Sequence, residues 1–153
     1  MTLHFGKRRS HYGSTYPEGS SRIVKVPPLS EEAMKELLSK PLDAKLATTS
    51  ATGDVRISPL WFSAHGETIL MNTFENSEAV KNLKRNPRSS LLIDFREEVG
   101  LGVHYWGTAT IEGPDNDTSG MAKMFSRYVG NEEAATEYAQ KLIGWGKIGR
   151  AHV

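Results

Sequence analysis

A short helix enclosed between two strands, in residues 72–94, constrains the fold of this chain more than any other feature. The segment reads NTFENSEAVKNLKRNPRSSLLID. The first strand ends at Thr73, and Ser77 is a residue type that favours the N-cap of a helix. Pro87 cannot continue a helix, so the chain must pass directly into a second strand, residues 88–95. The segment therefore predicts a tight strand–turn–helix–strand unit.

The rest of the chain predicts several strands and few helices. Alternation of apolar and polar residues, together with turn residues such as Gly53 and Gly66, marks the strands. We predict strands at residues 46–50, 55–64, 68–73, 88–95 and 102–112, and helices at residues 30–41, 77–86, 117–129 and 131–143. Strands separated by turns and short helices favour a small antiparallel barrel with peripheral helices. No GxGxxG follows a strand, which argues against a dinucleotide-binding sheet.

Length and charge exclude several classes of protein. A chain of 153 residues fits one domain, and 19 basic residues against 18 acidic ones give a net charge of only +1. Such a balance does not recruit nucleic acid or a membrane surface, although Lys7, Arg8 and Arg9 leave a nucleic-acid role open as the weakest alternative. There is no cysteine, no apolar run long enough to span a bilayer and no secretory signal. We expect a cytoplasmic protein.

Residues 38–147 resemble the flavin-binding split barrel of the pyridoxamine 5′-phosphate oxidase family. The resemblance rests on the hairpin LATTSATGDVRISPLWFSAHGETILMNT, on the strand–turn–helix unit and on the strand GVHYWGTATIEG. It implies a mainly β fold, a split β-barrel with short peripheral helices. It also implies FMN as cofactor, or the deazaflavin F-420, with hydride transfer to or from a small organic substrate. Members of that family pair as homodimers with the cofactor at the interface.

The resemblance also indicates where a cofactor would bind. The strand–turn–helix unit holds the phosphate in that family, and the strand at Ser58 resembles the one that lines the ring. This chain departs from the family at Glu78 and Ala79, where basic residues are usual. We therefore expect either that Arg56 and the helix end hold the phosphate or that the cofactor is bound weakly. Pro59 lacks an N–H and should lie at an edge or a bulge. The candidate cofactor-binding residues are Arg56, Ser58, Pro59, Leu60, Trp61, Asn72, Thr73, Ser77, Lys81 and Asn82.

No catalytic residue is recognisable in the sequence. Neither an HExxH metal motif nor a GxSxG nucleophile motif is present, and the acidic residues are scattered, so we expect no metal site. Flavin chemistry needs no essential acid or base from the protein, since the cofactor performs the difficult step. The alternative is a non-catalytic cofactor- or haem-binding module, in which His65 or His104 would be the axial ligand.

The two ends of the chain predict separate segments. Residues 1–28 are rich in glycine, serine and proline and are expected to form a flexible arm, followed by the split-barrel domain at residues 29–147. The last residues, IGRAHV, are what a common sequencing-library adapter encodes when it is translated. We therefore interpret residues 148–153 as a non-native tail. The barrel would then lack its last strand, which would leave one edge unpaired.

Overall fold

The computed structural model describes residues 29–95, 102–114, 118–145 and 148–152, with only the backbone described at residues 114 and 148–152. Four helices lie in these residues: α1 (Glu31–Ser39), α2 (Glu78–Arg85), α3 (Thr118–Val129) and α4 (Glu132–Trp145). The strands are β1 (Ala44–Thr49), β2 (Val55–Leu60), β3 (Phe62–His65), β4 (Thr68–Phe74), β5 (Arg88–Asp94), β6 (Gly102–Thr108), β7 (Thr110–Pro114) and β8 (Ile148–His152).

The strands form two four-stranded antiparallel sheets that share two continuous stretches of chain. Sheet A has the order β2-β1-β5-β6, and sheet B has the order β3-β4-β8-β7. One edge strand of sheet A passes into sheet B at Trp61, and the other does so at Ala109. Each of the predicted strands 55–64 and 102–112 is thus two strands that meet at a corner. At such a corner the chain passes from one sheet to the other. The split-barrel fold with peripheral helices is confirmed.

Strand register decides which side chains of β2 face inward. Arg56 pairs with Thr48, Ser58 with Leu46 and Leu60 with Ala44. The β1 partners are buried, so Arg56, Ser58 and Leu60 share the inner face of sheet A. The spacing of two residues predicts that Arg56 and Ser58 share a face, and this is confirmed. Pro59 pairs with Lys45 on the outer face of β2, which is an edge strand, so its predicted edge position is confirmed.

Two apolar cores hold the elements together. The first lies between the sheets and includes Leu46, Phe62, Met71 and Leu91, each fully buried. The second lies between sheet B and the helix pair α3–α4, where Met121, Phe125 and Ala139 pack with Trp61, Leu70 and Phe74. Strand β4 serves both cores, because successive side chains of a strand point to opposite faces.

The N-cap predicted at Ser77 forms, and Ser30 caps α1 in the same way. The Ser30 side chain accepts a hydrogen bond from the Ala33 N–H at 3.1 Å, and the Ser77 side chain accepts one from the Val80 N–H at 3.3 Å. Each cap satisfies a backbone donor that the first turn of a helix leaves free. The starting points of α1 and α2 could therefore be read from single residues.

The end of the chain differs from the prediction. Residues 148–152, expected to lie outside the fold, form β8 between β4 and β7. The predicted absence of a last strand is thus wrong for the structure, since Thr73 pairs with Gly149 and Ile111 with Ala151. The adapter origin of these residues, and the flexible arm at residues 1–28, which lies outside the described residues, stay predictions.

Arg127 and Tyr128 of α3 fasten the corner between β2 and β3. The Tyr128 hydroxyl accepts a hydrogen bond from the Phe62 N–H at 3.0 Å and donates one to the Leu42 carbonyl at 2.9 Å. The Arg127 guanidinium donates to the Phe62 carbonyl, and to the Leu38 carbonyl at 2.9 Å, where it satisfies an acceptor at the end of α1. We call these two residues the α3 clamp.

Among the helices in the described residues, none combines the length and apolar character that a membrane span requires.

The α3 clamp gives a testable prediction for stability. Tyr128→Phe keeps the aromatic ring but leaves the Phe62 N–H and the Leu42 carbonyl without the hydroxyl. We expect a loss of about 1–3 kcal/mol in the free energy of unfolding, measured by urea denaturation. Tyr138→Phe is the matched control, because Tyr138 lies in the same aromatic cluster but forms no part of the clamp. Equal stabilities of the two variants would contradict the role of the clamp.

The same hydroxyl predicts a dependence on alkaline pH. Burial raises the pKa of Tyr128 above its ordinary value, against the opposing effects of its hydrogen bond to Phe62 and of Arg127. A raised pKa in the folded state gives stability that is complete below the unfolded pKa of about 10 and is lost as pH rises further. Wild-type protein should therefore lose stability above about pH 10 more steeply than Tyr128→Phe.

Candidate functional site

A cavity of about 240 Å³ lies between the end of β4, the β2–β3 corner and the helix pair α3–α4. It is called the aromatic cavity below. Its walls combine strand residues, most of which the sequence predicts to bind a cofactor, with helix residues for which it makes no such prediction. The lining residues are Pro59, Leu60, Trp61, Asn72, Thr73, Phe74, Phe125, Tyr138 and Leu142.

Stacked and edge-on rings fix the shape of this cavity. Trp61 stacks on Tyr128 with ring centroids 4.5 Å apart and planes 7° from parallel, and it meets the edge of Phe125 at 5.4 Å. Tyr138 lies 5.4 Å from Trp61 and 5.6 Å from Phe125. Such pairs stabilise beyond the area that they bury. The rings give the cavity flat apolar walls, which suit a flat apolar group.

Asn72 is a polar residue in this mainly apolar lining. Both side-chain atoms of Asn72, Oδ1 and Nδ2, are buried, and neither has a hydrogen-bond partner in the described part of the chain. Asn72 lies on β4 between Leu70 and Phe74, which pack into the helical core. Leaving such an amide unpaired costs about 1–3 kcal/mol, so its presence here needs an explanation.

A second cluster, the α2 end, lies where the turn after β4 enters α2. The Thr73 hydroxyl donates to the Ser77 Oγ at 3.3 Å, and that Oγ also accepts from the Val80 N–H. Thr73 borders the aromatic cavity as well, so the two clusters adjoin. Hydroxyls beside the N-terminus of a helix suit an anion, because the first backbone N–H groups and the helix dipole point towards it.

The charges at the α2 end are mixed. The hydrogen bond from Lys81, at 2.7 Å, and the charge of Lys81 lower the pKa of Glu78, and the more distant charges of Arg56 and Arg85 act in the same direction. Glu78 is therefore ionised at neutral pH and lies near Arg56. A phosphate placed there would meet one carboxylate as well as the cations. Glu78 stands where the family usually has a basic residue. It therefore adds a negative charge at the α2 end, which disfavours a phosphate there.

Asn82 ties α2 to sheet A. Its side chain is 2% exposed, its Nδ2 donates to the Thr48 hydroxyl at 3.0 Å, and its Oδ1 accepts from Arg85 at 3.0 Å. Arg85 also donates to the Thr49 carbonyl. Both ends of the Asn82 amide are occupied by protein groups, so its evident role is to hold α2 in place. Its predicted contact with a cofactor stays a prediction.

Eight of the ten residues predicted to bind a cofactor lie in two neighbouring places, and Ser58 and Asn82 lie outside both. Pro59, Leu60, Trp61, Asn72 and Thr73 line the aromatic cavity. The α2 end brings Thr73 and Ser77 together, with Lys81 on the same helix, and Arg56 acts on Glu78 there. Ser58 lies on the inner face of β2, beside Leu46.

Sequence reasoning missed the helical wall of the cavity. Phe125, Tyr138 and Leu142 belong to α3 and α4, far along the chain from the strands. In the sequence, Met121, Met124, Phe125 and Tyr128 form an apolar stripe on α3, but such a stripe predicts core packing just as well. Only the way in which the helix pair packs on sheet B shows that part of the stripe faces a cavity.

Two histidines in the described side chains could serve as ligands. His104 contacts the Ser90 hydroxyl through Nε2, and its ring lies 5.2 Å from that of Trp106. His65 contacts the Ser63 hydroxyl through Nε2 at 3.0 Å. The described residues contain no group of three or more His, Cys, Asp or Glu side chains that could hold a metal ion.

Comparison with known families decides the classification. The family model described as pyridoxamine 5′-phosphate oxidase matches residues 30–145, which include both clusters. The chain belongs to the pyridoxamine 5′-phosphate oxidase family. The resemblance drawn from the strand–turn–helix unit is therefore confirmed. No curated protein sequence matches the chain.

Solved structures of other proteins share the fold at low sequence identity. An F-420 reductase is 22% identical with a TM-score of 0.63, covering 84% of this chain and 94% of its own. A conserved hypothetical protein from Mycobacterium tuberculosis is 20% identical with a TM-score of 0.65, covering 82% and 80%. A haem storage protein from Vibrio cholerae is 19% identical with a TM-score of 0.58, covering 79% and 86%. The fold thus occurs in proteins of different function.

The contact between Asn82 and Thr48 can be tested by a double-mutant cycle. Asn82→Ala removes the amide, and Thr48→Val removes the hydroxyl. The double variant removes both groups. We expect each single change to cost about 1–3 kcal/mol, because a buried polar partner is left unpaired. The double variant should cost less than the sum, by about 0.5–1.5 kcal/mol. Strictly additive losses in urea denaturation would show that the pair is not coupled.

Proposed function

We propose that this member of the pyridoxamine 5′-phosphate oxidase family is a flavin- or deazaflavin-dependent oxidoreductase that transfers a hydride to or from a small organic molecule. The leading cofactor is FMN, and F-420 is the alternative. The observation that carries the proposal is the adjacency of an aromatic cavity and a hydroxyl-lined helix N-terminus on one strand end. A flavin has the corresponding parts, a flat ring and an anionic tail. We also propose that the protein is cytoplasmic.

The residues present fit such a cofactor in their donors and in their shape. Thr73, Ser77 and the free N–H groups at the start of α2 would hold the phosphate, with Arg56 as the cation. Trp61 and the strand before it would contact the ring. When bound, the cofactor would supply the hydride chemistry. The protein would orient it, and the apolar walls would exclude water from the reacting face.

The fit is weaker in charge than in shape. Glu78 is ionised and lies in the first turn of α2, where it competes with a phosphate for Arg56. Lys81 is already paired with Glu78, and Ala79 is buried and neutral. We therefore propose that this chain binds FMN less tightly than a relative with basic residues at these two positions.

A second candidate function is haem binding without catalysis. The observation in its favour is the half-buried His104 beside Trp106 on the outer face of sheet A, an aromatic setting for an axial ligand. Against it stands the contact of His104 Nε2 with Ser90, which a ligand bond through that nitrogen would break. Haem is therefore the second choice.

We also propose a homodimer, formed through the outer face of sheet A. Val55 and Ile57 on the edge strand β2 are 67% and 68% exposed, and Trp106 on the opposite edge strand is 37% exposed. Exposed apolar side chains collected on one sheet face are typical of an interaction surface. A second copy of the chain can cover this face symmetrically.

The cofactor proposal is tested by titrating the purified chain with FMN, F-420 and haem in parallel, following fluorescence or absorbance. Saturable binding of FMN or F-420 at a ratio of one per chain is the expected result. Binding of haem alone would replace the leading proposal with the second candidate. Binding of none of the three would refute both.

Two variants at the α2 end should change FMN affinity in opposite directions. Arg56→Ala removes the proposed cation and should weaken binding by about two- to fivefold, whereas Glu78→Gln removes the competing carboxylate and should strengthen it by a similar factor. Lys123→Ala on α3 is the control for a general effect of charge. An unchanged FMN Kd in both variants would place the phosphate elsewhere.

The dimer is tested by replacing an exposed apolar residue of the proposed interface. Ile57→Lys should convert a particle of twice the 16.9 kDa chain mass into a monomer, because a lysine on this face opposes pairing. Light scattering after gel filtration measures the mass. Thr52→Lys, in the exposed turn before β2, is the matched control and should stay dimeric. A monomeric wild-type protein would rule out the interface.

A further inference from the structure

His104 lies on the outer face of sheet A, the face proposed above as the dimer interface. It pairs with Leu92 of the neighbouring strand β5, and its side chain is half-buried. Histidine is the side chain that ordinarily changes its charge between about pH 5 and 8. A proton on His104 therefore adds one positive charge to this face.

The Ser90 hydroxyl allows His104 to gain a proton without losing its contact inside the chain. His104 Nε2 contacts Ser90 Oγ, and the same oxygen lies 3.3 Å from the Tyr105 carbonyl. A hydroxyl has one hydrogen to donate, and its oxygen also accepts. Beside an Nε2 without a hydrogen it donates to that nitrogen. Beside protonated His104 it accepts from Nε2–H and donates to the Tyr105 carbonyl instead. Both charge states of His104 are thus satisfied within one chain.

Trp106 and solvent favour the charged form of His104 while this face is open. The rings of His104 and Trp106 lie 5.2 Å apart, and Trp106 is 37% exposed. A tryptophan ring attracts a nearby cation through its electron-rich face. A second copy of the chain that covers the face removes the solvent, and burial disfavours the charged form of a histidine. The free chain and the dimer therefore favour different charge states.

The other charges on this face increase that difference. The strands of sheet A place two cations there, Lys45 on β1 and Arg88 on β5, and one anion, Asp94 on β5. Lys45 forms an ion pair with Asp94. The face therefore carries one net positive charge before His104 is protonated and two afterwards. In a symmetric dimer the face meets a copy of itself, so these like charges are brought together where water is excluded.

We propose that the outer face of sheet A is a pH-dependent dimer interface, in which the dimer contains neutral His104 and protonation of His104 separates the two chains. This inference rests on the proposed dimer and deepens it by naming what regulates the interface. Its direction follows from linkage. A proton that binds the free chain and not the dimer shifts the equilibrium towards the free chain as the pH falls.

Sedimentation of the full chain at two pH values measures the dimer Kd. We expect the Kd to rise about tenfold or more between about pH 7.5 and about pH 5.5. His104→Gln stays neutral and should have the same Kd at both pH values, whereas His104→Lys stays charged and should dimerise weakly at both. His65→Gln, on β3 of sheet B, is the matched control and should keep the response to pH. Arg88→Gln removes a cation from the face and should lower the Kd at the lower pH even if His104→Gln does not dimerise.

The outcomes separate this inference from the proposals on which it rests. A wild-type dimer with the same Kd at both pH values would overturn the pH dependence and leave the dimer intact. A wild-type chain that is monomeric at both values would overturn the dimer and this inference with it. A response to pH that persists in His104→Gln belongs to another group and would also overturn the inference. The titrations with FMN, F-420 and haem decide the cofactor independently of all these results.

Discussion

The corner at Trp61 and Phe62 is the constraint on which the rest of this structure depends. A strand that leaves one sheet for another takes its backbone groups out of a regular ladder, and unpaired groups inside a protein are costly. Tyr128 and Arg127 supply the missing partners from α3, and the same two side chains reach the loop and the helix end before β1. One helical turn therefore joins the first helix, the strand corner and the helix pair.

This corner also determines where the cavity lies. Phe62 points into the core between the sheets, whereas Trp61, one residue earlier, packs against the helix pair. Tyr128 holds Trp61 by stacking while its hydroxyl holds the backbone of Phe62. The aromatic wall and the fold are thus maintained by the same contacts. A change that loosens the clamp would be expected to disturb ligand binding as well as stability.

Local chemistry explains which features could be predicted from the sequence. Ser77 caps its helix, and Arg56 shares a face with Ser58, because caps and strand periodicity depend on neighbouring residues. The break at Trp61 could not be predicted, since residues typical of strands continue on both sides of it and Pro59 indicates only an edge or a bulge. The isolation of the Asn72 amide could not be predicted either, because it depends on the packing of α3 and α4 on β4. Tertiary packing decided both.

The end of β4 joins two kinds of chemistry at adjacent residues. Asn72 belongs to the apolar cavity, and Thr73 donates its hydroxyl to Ser77 at the polar helix terminus. A ligand that engages both must have a flat part and a polar tail. The carboxylate of Glu78 weakens the grip on an anionic tail, whereas nothing comparable opposes a ring in the cavity. Recognition in this chain should therefore depend more on the ring than on the phosphate, since the cavity presents flat apolar walls whereas the charges at the α2 end partly cancel.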